Sequence, residues 1–199
     1  MKFTLDNDTS PTNKSEIILE PLNWLKYKSG IAIPLALSVL ICTYFTYSYN
    51  KYFFIAVLVL VLINVFYWLR IKEHFKADST PAIVISETPP LLAVYTNMAK
   101  YGDYYPAIKI EKFINKNNYK IGSKVATASI YSVGNEENDY WADFHPLPVN
   151  YATSNEAQLN FSLLSFSEDE WQELQAGINQ LSATKTEGLY KITNSSSCW

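Results

Sequence analysis

Between Ile31 and Leu69 the chain is apolar at nearly every position, and the run is broken once, by Asn50 and Lys51. The two arms, Ile31–Tyr49 and Tyr52–Leu69, would each form a helix roughly 27–28 Å long at about 1.5 Å per residue, close to the hydrocarbon thickness of a bilayer. One continuous helix would be almost twice that thickness, which tilting does not accommodate. A reversal at Asn50-Lys51 leaves the backbone groups of the tip in water while each arm satisfies its own. Tyr44, Tyr47, Tyr49 and Tyr52 gather at the tip, and Tyr67 and Trp68 mark the other end, as aromatic belts do. The pattern predicts a two-helix transmembrane hairpin over residues 31–69.

Other readings are weaker. A secretory leader would begin nearer the N-terminus and end in small residues, unlike "YSYNKYFF". A buried core hairpin would need more covering chain than is present. The first arm carries Pro34 and several hydroxyls, so it is the poorer insert, and a single span by the second arm stays open. Lys26 and Lys28 precede the first arm and Arg70, Lys72 and Lys76 follow the second, against Lys51 alone at the tip. That bias places both termini in the cytoplasm. Neither arm contains Asp, Glu, Lys, Arg or His, the groups of proton relays and ion sites, which disfavours a pump or ion-coupled transporter. Asn64 is the one strongly polar side chain inside the arms and is suited to an interhelical hydrogen bond.

Outside the arms the period changes. Residues 1–30 are expected to be a cytoplasmic tail ending in a juxtamembrane segment, "IILEPLNWLKYK", whose Leu22, Trp24 and Leu25 resemble an interfacial anchor. Residues 70–80 are expected to be a linker. From residue 81 to 194, short runs rich in Val, Ile, Thr and Tyr alternate with Pro, Gly and Asn clusters, a strand-and-turn signature. In "KVATASIYS", Val125, Thr127, Ser129 and Tyr131 alternate with Ala126, Ala128 and Ile130, as in a half-buried strand. Gly122 supplies the turn before it, and "VGNEENDYW" reads as a hairpin loop in which Gly134 and Asn135 tolerate positive φ. One helix is signalled, in "SFSEDEWQELQAGINQL": Ser167 and Glu170 form a capping box, Phe166 and Trp171 stand at staple spacing, and Trp171, Leu174, Ile178 and Leu181 form one stripe. "EGLYKIT" after it can close the sheet. The expected fold is a membrane α-hairpin followed by a small, mainly antiparallel β domain, a barrel or rolled sheet, with one late amphipathic helix; residues 195–199 are a tail.

Charge divides the chain as hydropathy does. Residues 1–76 hold eight Lys/Arg against five Asp/Glu, and residues 77–199 eight Lys against fourteen Asp/Glu. The acidic part would repel phosphate backbones, so nucleic acid is not an expected partner. Cys42 lies in the first arm and Cys198 next to the end, which makes them two free thiols. Two histidines and two distant cysteines give no metal site, and no cofactor fingerprint is present. The candidate for chemistry is "DYWADFHP", in which Asp143 and His145 share one side of a strand and a carboxylate can orient an imidazole base; a plain surface contact is the commoner outcome of such spacing. Among the domain's many aromatics, Tyr105, Tyr131, Trp141 and Tyr151 are candidates for a recognition surface, although such residues more often fill a core.

The phrases "PPLLAVYTNMAKYGDYYPAIKI", "GSKVATASIY", "WADFHPLPV", "EDEW" and "GLYKI", over residues 81–193, resemble a family of bacterial proteins of unknown function in which a short membrane segment precedes such a domain. The resemblance implies a bacterial origin, hence a multi-pass protein of the inner (cell) membrane, and transfers no catalytic residue. The function expected first is a non-catalytic, membrane-tethered module that binds a protein partner or its own copies, with the lipid bilayer as its other partner. An enzyme built on Asp143 and His145, and an oligomeric pore or transporter subunit, are the alternatives.

Overall fold

The computed structural model describes residues 17–101, 103–134, 138–181 and 186–192. Helix α1 (Pro21–Ser48) and helix α2 (Phe53–His74) form the hairpin. The reversal lies where the sequence breaks: Asn50 caps it, its side chain accepting from the Tyr52 N–H at 3.0 Å and its carbonyl from the Phe53 N–H at 3.1 Å. Both helices are long and apolar enough to cross a membrane, and only 6% of the most apolar stretch of each is buried within the protein. Asn64 makes the interhelical bond expected of it, its Nδ2 donating to the Leu35 carbonyl at 3.2 Å.

The juxtamembrane segment departs from expectation. Helix α1 begins at Pro21, ten residues before the apolar run. Proline is at home in a first turn, where its missing N–H would have had no partner, and Pro21 starts the helix. The helix is interrupted at Lys28 (φ −128°, ψ 42°). Its first turns are part of the β domain: Trp24 is 5% exposed and meets Phe75 edge-on, Tyr27 stacks on Tyr151 with ring centroids 4.5 Å apart, and Asn23 donates to the Asn150 carbonyl at 2.8 Å. Trp24 is therefore a core residue and not an interfacial anchor; Leu22 alone of the trio stays exposed as an anchor would.

No loose linker follows α2. The helix runs to His74, whose Nε2 lies 3.1 Å from the Ala128 carbonyl and 3.0 Å from that of His145. Phe75 is fully buried, and strand β1 (Asp78–Glu87) starts three residues later. Strands β2 (Pro90–Asn97), β3 (Pro106–Lys112), β4 (Lys124–Ser132), β5 (Asp143–Pro148) and β6 (Gly188–Lys191) complete a six-stranded antiparallel sheet in the order β5-β4-β1-β2-β3-β6. Strands β3 and β5 stand four places apart, about 19 Å in a flat sheet. Yet Lys109 of β3 reaches the Asp143 carboxylate of β5 at 2.9 and 3.0 Å. The sheet is thus rolled into a half-barrel that stays open.

Strand alternation sorts the residues into two cores. Ala82, Val84, Leu92, Val94, Val125 and Phe144 fill the concave side. Ile83, Ile85, Tyr95, Ile108 and Ile110 face the helices on the other, with Trp171 and Leu174. Two helices cover that side where one was expected. Helix α3 (Glu156–Leu164) is capped by Asn155, whose side chain accepts from the Ala157 and Gln158 N–H groups. Helix α4 (Glu168–Gln180) has the predicted capping box, with Phe166 and Trp171 in edge contact at 5.4 Å. Gly177 is required by close approach, since a Cβ there would lie 2.5 Å from the Cδ1 atoms of both Ile108 and Ile192. Gly122 has φ +87°, as its turn requires, and "EGLYKIT" supplies β6. Gly134 is different: among the described glycines only Gly122 and Gly188 have positive φ, and at Gly134 the constraint is Ala142, 2.7 Å from a Cβ. Asn135, Glu136 and Glu137 lie outside the described residues.

Candidate functional site

A polar cleft of about 830 Å³ curls around the rim of the sheet where β1 begins and β2 ends. Alternation divides its wall: Asp78, Thr96 and Tyr131 belong to the concave side, and Ser79 and Tyr95 to the helix side. On the concave side, Tyr131 Oη lies 2.6 Å from Thr96 Oγ1, and Thr80 Oγ1 lies 2.7 and 2.6 Å from the hydroxyls of Thr127 and Ser129. This is a buried hydroxyl network on strands that carry aliphatic side chains elsewhere. On the helix side, Tyr104 donates to Glu173 Oε1 at 2.8 Å, and Tyr95 donates to the other carboxylate oxygen. Lys100 donates to the Asn138 carbonyl at 2.5 Å with its ammonium 5.7 Å from the centre of the Trp141 ring.

Three groups whose ionisation is strongly disturbed sit here. Burial pushes the Asp78 carboxyl up to about 6, with the Tyr131 hydroxyl pulling the other way. Burial, and then the Asp78 charge, push the Tyr131 phenol well above its ordinary value. Burial does the same to Tyr95, helped by its bonds to Glu173 and Tyr104. Asp78 Oδ1 and Ser79 Oγ are two of the four buried side-chain polar atoms without a hydrogen-bond partner among the described residues; the others belong to Glu111 and Asn150. An orphaned buried polar atom costs free energy and is rare, so Asp78 Oδ1 marks a point on the concave wall of the cleft where a donor from outside would be stabilised, and Ser79 Oγ a point on the helix-side wall where either a donor or an acceptor would be.

The predicted site residues are dispersed. Tyr131 and Trp141 line the cleft and stack at 5.8 Å. Tyr105 lies outside its wall, packed on Tyr140 at 5.1 Å. Tyr151 is buried in the helix-side core, its hydroxyl accepting from the Ile114 N–H at 2.6 Å. Asp143 and His145 share one side of β5, but no hydrogen bond joins their side chains: the Asp143 carboxylate is taken by Lys109 and the Phe144 N–H. Burial, and then the Lys109 ammonium, hold the His145 imidazole below its usual value. Among the described residues no three His, Cys, Asp or Glu side chains form a metal-ligating group. Sequence reasoning missed Asp78 and Glu173. Asp78 is a lone acid in "KADST" and Glu173 one of several acids on a polar helix face, and only the fold brings them to one rim.

A family profile for a protein of unknown function (DUF3239) matches residues 70–182, more than half of the chain. The chain belongs to this family. The DUF3239 match begins within α2 and ends just past α4, so it takes in the end of the hairpin, the first five strands and both late helices. No curated protein matches the sequence. A crystal structure of a "putative membrane protein" from Corynebacterium diphtheriae is similar at 18% identity and a TM-score of 0.49, over 58% of this chain and 100% of that one.

Proposed function

We propose that this DUF3239 protein crosses a bacterial inner (cell) membrane twice, keeps both termini in the cytoplasm, and acts as a non-catalytic module that binds a protein segment in the rim cleft. The observation that carries the binding role is the orphaned acceptor Asp78 Oδ1 on the concave wall of the cleft, with the unpartnered Ser79 hydroxyl on its other wall. Among the described residues the cleft wall also holds Asp103, Glu170 and Glu173 against one cation, Lys100, and it includes the Trp141 and Tyr131 rings. Carboxylates beside aromatic faces suit a lysine or arginine side chain, which donates hydrogen bonds and gains from the ring quadrupole. The acidic character of the domain favours approach of such a basic segment. Support for insertion comes from the exposed apolar faces of α1 and α2, and support for the orientation from the lysines and arginine at the two ends of the hairpin.

Two experiments test this. A photo-crosslinking residue at Tyr104, which is exposed at the cleft, is expected to give a discrete protein adduct in intact membranes, weakened by Asp78→Asn. Adducts no different from those at exposed Ile121, outside the cleft, would remove the binding role. For topology, in a Cys42→Ser, Cys198→Ser background, Lys51→Cys is expected to react with an impermeant maleimide in intact cells and Lys120→Cys only after permeabilisation. The reverse pattern would overturn the orientation.

A further inference from the structure

We infer that the groove between the two hairpin helices seats one anionic phospholipid of the cytoplasmic leaflet; the inference rests on the reading that the hairpin spans a bilayer. The groove has a volume of about 1240 Å³ and is predominantly apolar. Small-molecule pockets are typically about 300–1,000 Å³, so this one suits a larger amphiphile. Val39 and Leu40 of α1 and Val61, Val65 and Trp68 of α2 form its walls, and Asn64, bonded to the Leu35 carbonyl, ties the two helices together along it.

Its length fits one leaflet. From Val61 to Lys72 the α2 wall rises about 16 Å at about 1.5 Å per residue, close to half of a hydrocarbon core about 30 Å thick. At its upper end the groove is walled by a strap, Ile17–Pro21, with Ile18 68% exposed. The strap is fixed to the β domain: the Ile18 N–H donates to Gln158 Oε1 at 3.1 Å, the Glu20 N–H to the Ala152 carbonyl at 2.8 Å, and the Glu20 carboxylate accepts from Thr153 Oγ1 at 2.6 Å. A wall held from outside the bilayer distinguishes this groove from an ordinary lipid-facing helix surface.

Charge selects the occupant. Lys72 and Lys76 stand at the mouth, beyond the last apolar residue of α2, where a phosphate would lie. Lys76 is shared with Glu73 at 2.8 Å, an exposed pair that a phosphate can displace. A zwitterionic headgroup brings its own ammonium against these lysines and gains less. A second copy docking by the same face would oppose Lys72 to Lys72, because a two-fold interface is self-complementary, so lipid is favoured over a dimer.

The full chain, reconstituted in vesicles of equal phosphatidylglycerol and phosphatidylcholine and released for native mass spectrometry, tests this. One retained phospholipid per chain is expected, with phosphatidylglycerol preferred by roughly fivefold per lysine, or about twenty-five-fold for the pair. Lys72→Gln with Lys76→Gln should abolish the preference while a lipid is still held; Val65→Trp, which fills the groove, should abolish retention of both lipids. Equal retention of the two lipids by the unmodified chain, no retention, or a lipid-free dimer would each overturn the inference. A carbonate wash separates the two readings. A chain that stays in the membrane yet retains no lipid refutes the groove alone, whereas a chain washed off refutes the membrane reading and the groove together.

Discussion

If the roll of the sheet depends on Lys109, removing its charge should loosen the domain by a predictable amount. The Lys109 ammonium bonds both Asp143 oxygens and the Phe144 carbonyl, and lies 5.7 Å from the centre of the Phe144 ring. Its side chain is 13% exposed and that of Asp143 36%. Breaking a fully buried pair costs about 3–5 kcal/mol, and a surface pair is worth about 0–1 kcal/mol. Because water already reaches Asp143, Lys109→Met should fall between these, at about 2 kcal/mol. For a chain of this size that is a drop of about 4–8 °C in Tm. The assay is thermal unfolding followed by near-ultraviolet circular dichroism in a mild detergent, for Lys109→Met, Asp143→Asn and the double variant. A coupling of about 1–2 kcal/mol is expected. Additivity within about 0.5 kcal/mol would mean that the pair does not hold the roll. The same variant carries a second readout: without the ammonium that lowers it, the His145 pKa should rise in an NMR titration.

Two further outcomes follow from the geometry. The folded-state pKa of Asp78 is about 6, above the ordinary 3.8, so the folded chain binds the proton more tightly than the unfolded one. Stability from this group should therefore rise as pH falls from about 6 towards 4, and Asp78→Asn should flatten that slope and stabilise the protein at pH 7 by on the order of 2 kcal/mol; an unchanged slope in chemical denaturation would refute it. Trp24→Ala should cost about 3–5 kcal/mol, because it empties a core position against Phe75; a loss below 1 kcal/mol in the same unfolding assay would return Trp24 to an interfacial role.

The parts legible in the sequence were those set by neighbours along the chain. The turn at Asn50, the capping box of Ser167 and Glu170 and the staple of Phe166 on Trp171 all depend on residues within about five positions, and the structure contains each of them; β4 is a strand as read, but it is buried on both faces from Val125 to Ser129 and not half-buried, because a core lies on each side of the sheet. Helix α3 could also have been read, because Asn155 is a regular N-cap; its stripe is obscured by Phe161 and Leu164, which are exposed. What escaped was long-range. Nothing in "PLNWLKYK" announces that Trp24 and Tyr27 will find Phe75 and Tyr151. The spacing of Asp143 and His145 suggested a pair, but Lys109, thirty-four residues away, takes the carboxylate. The cleft is least legible of all, because it is assembled from the ends of β1 and β2 and the side of α4, and its key acid lies in a segment that reads as linker.

The docking of Asn23, Trp24 and Tyr27 changes where the globular unit starts. The hairpin is inserted within that unit, and excising the chain from residue 70 onward would remove part of its interior and leave Phe75 and Tyr151 bare. Asn23 and its partner Asn150 are separated by 127 residues. At about 5–20 residues per second of synthesis, the leading piece must wait roughly 6–25 s for its seat to be made, while both apolar rods emerge in between. On the membrane-spanning reading proposed above, both rods would enter lipid before Asn150 is made, and the globule would close across rods already inserted.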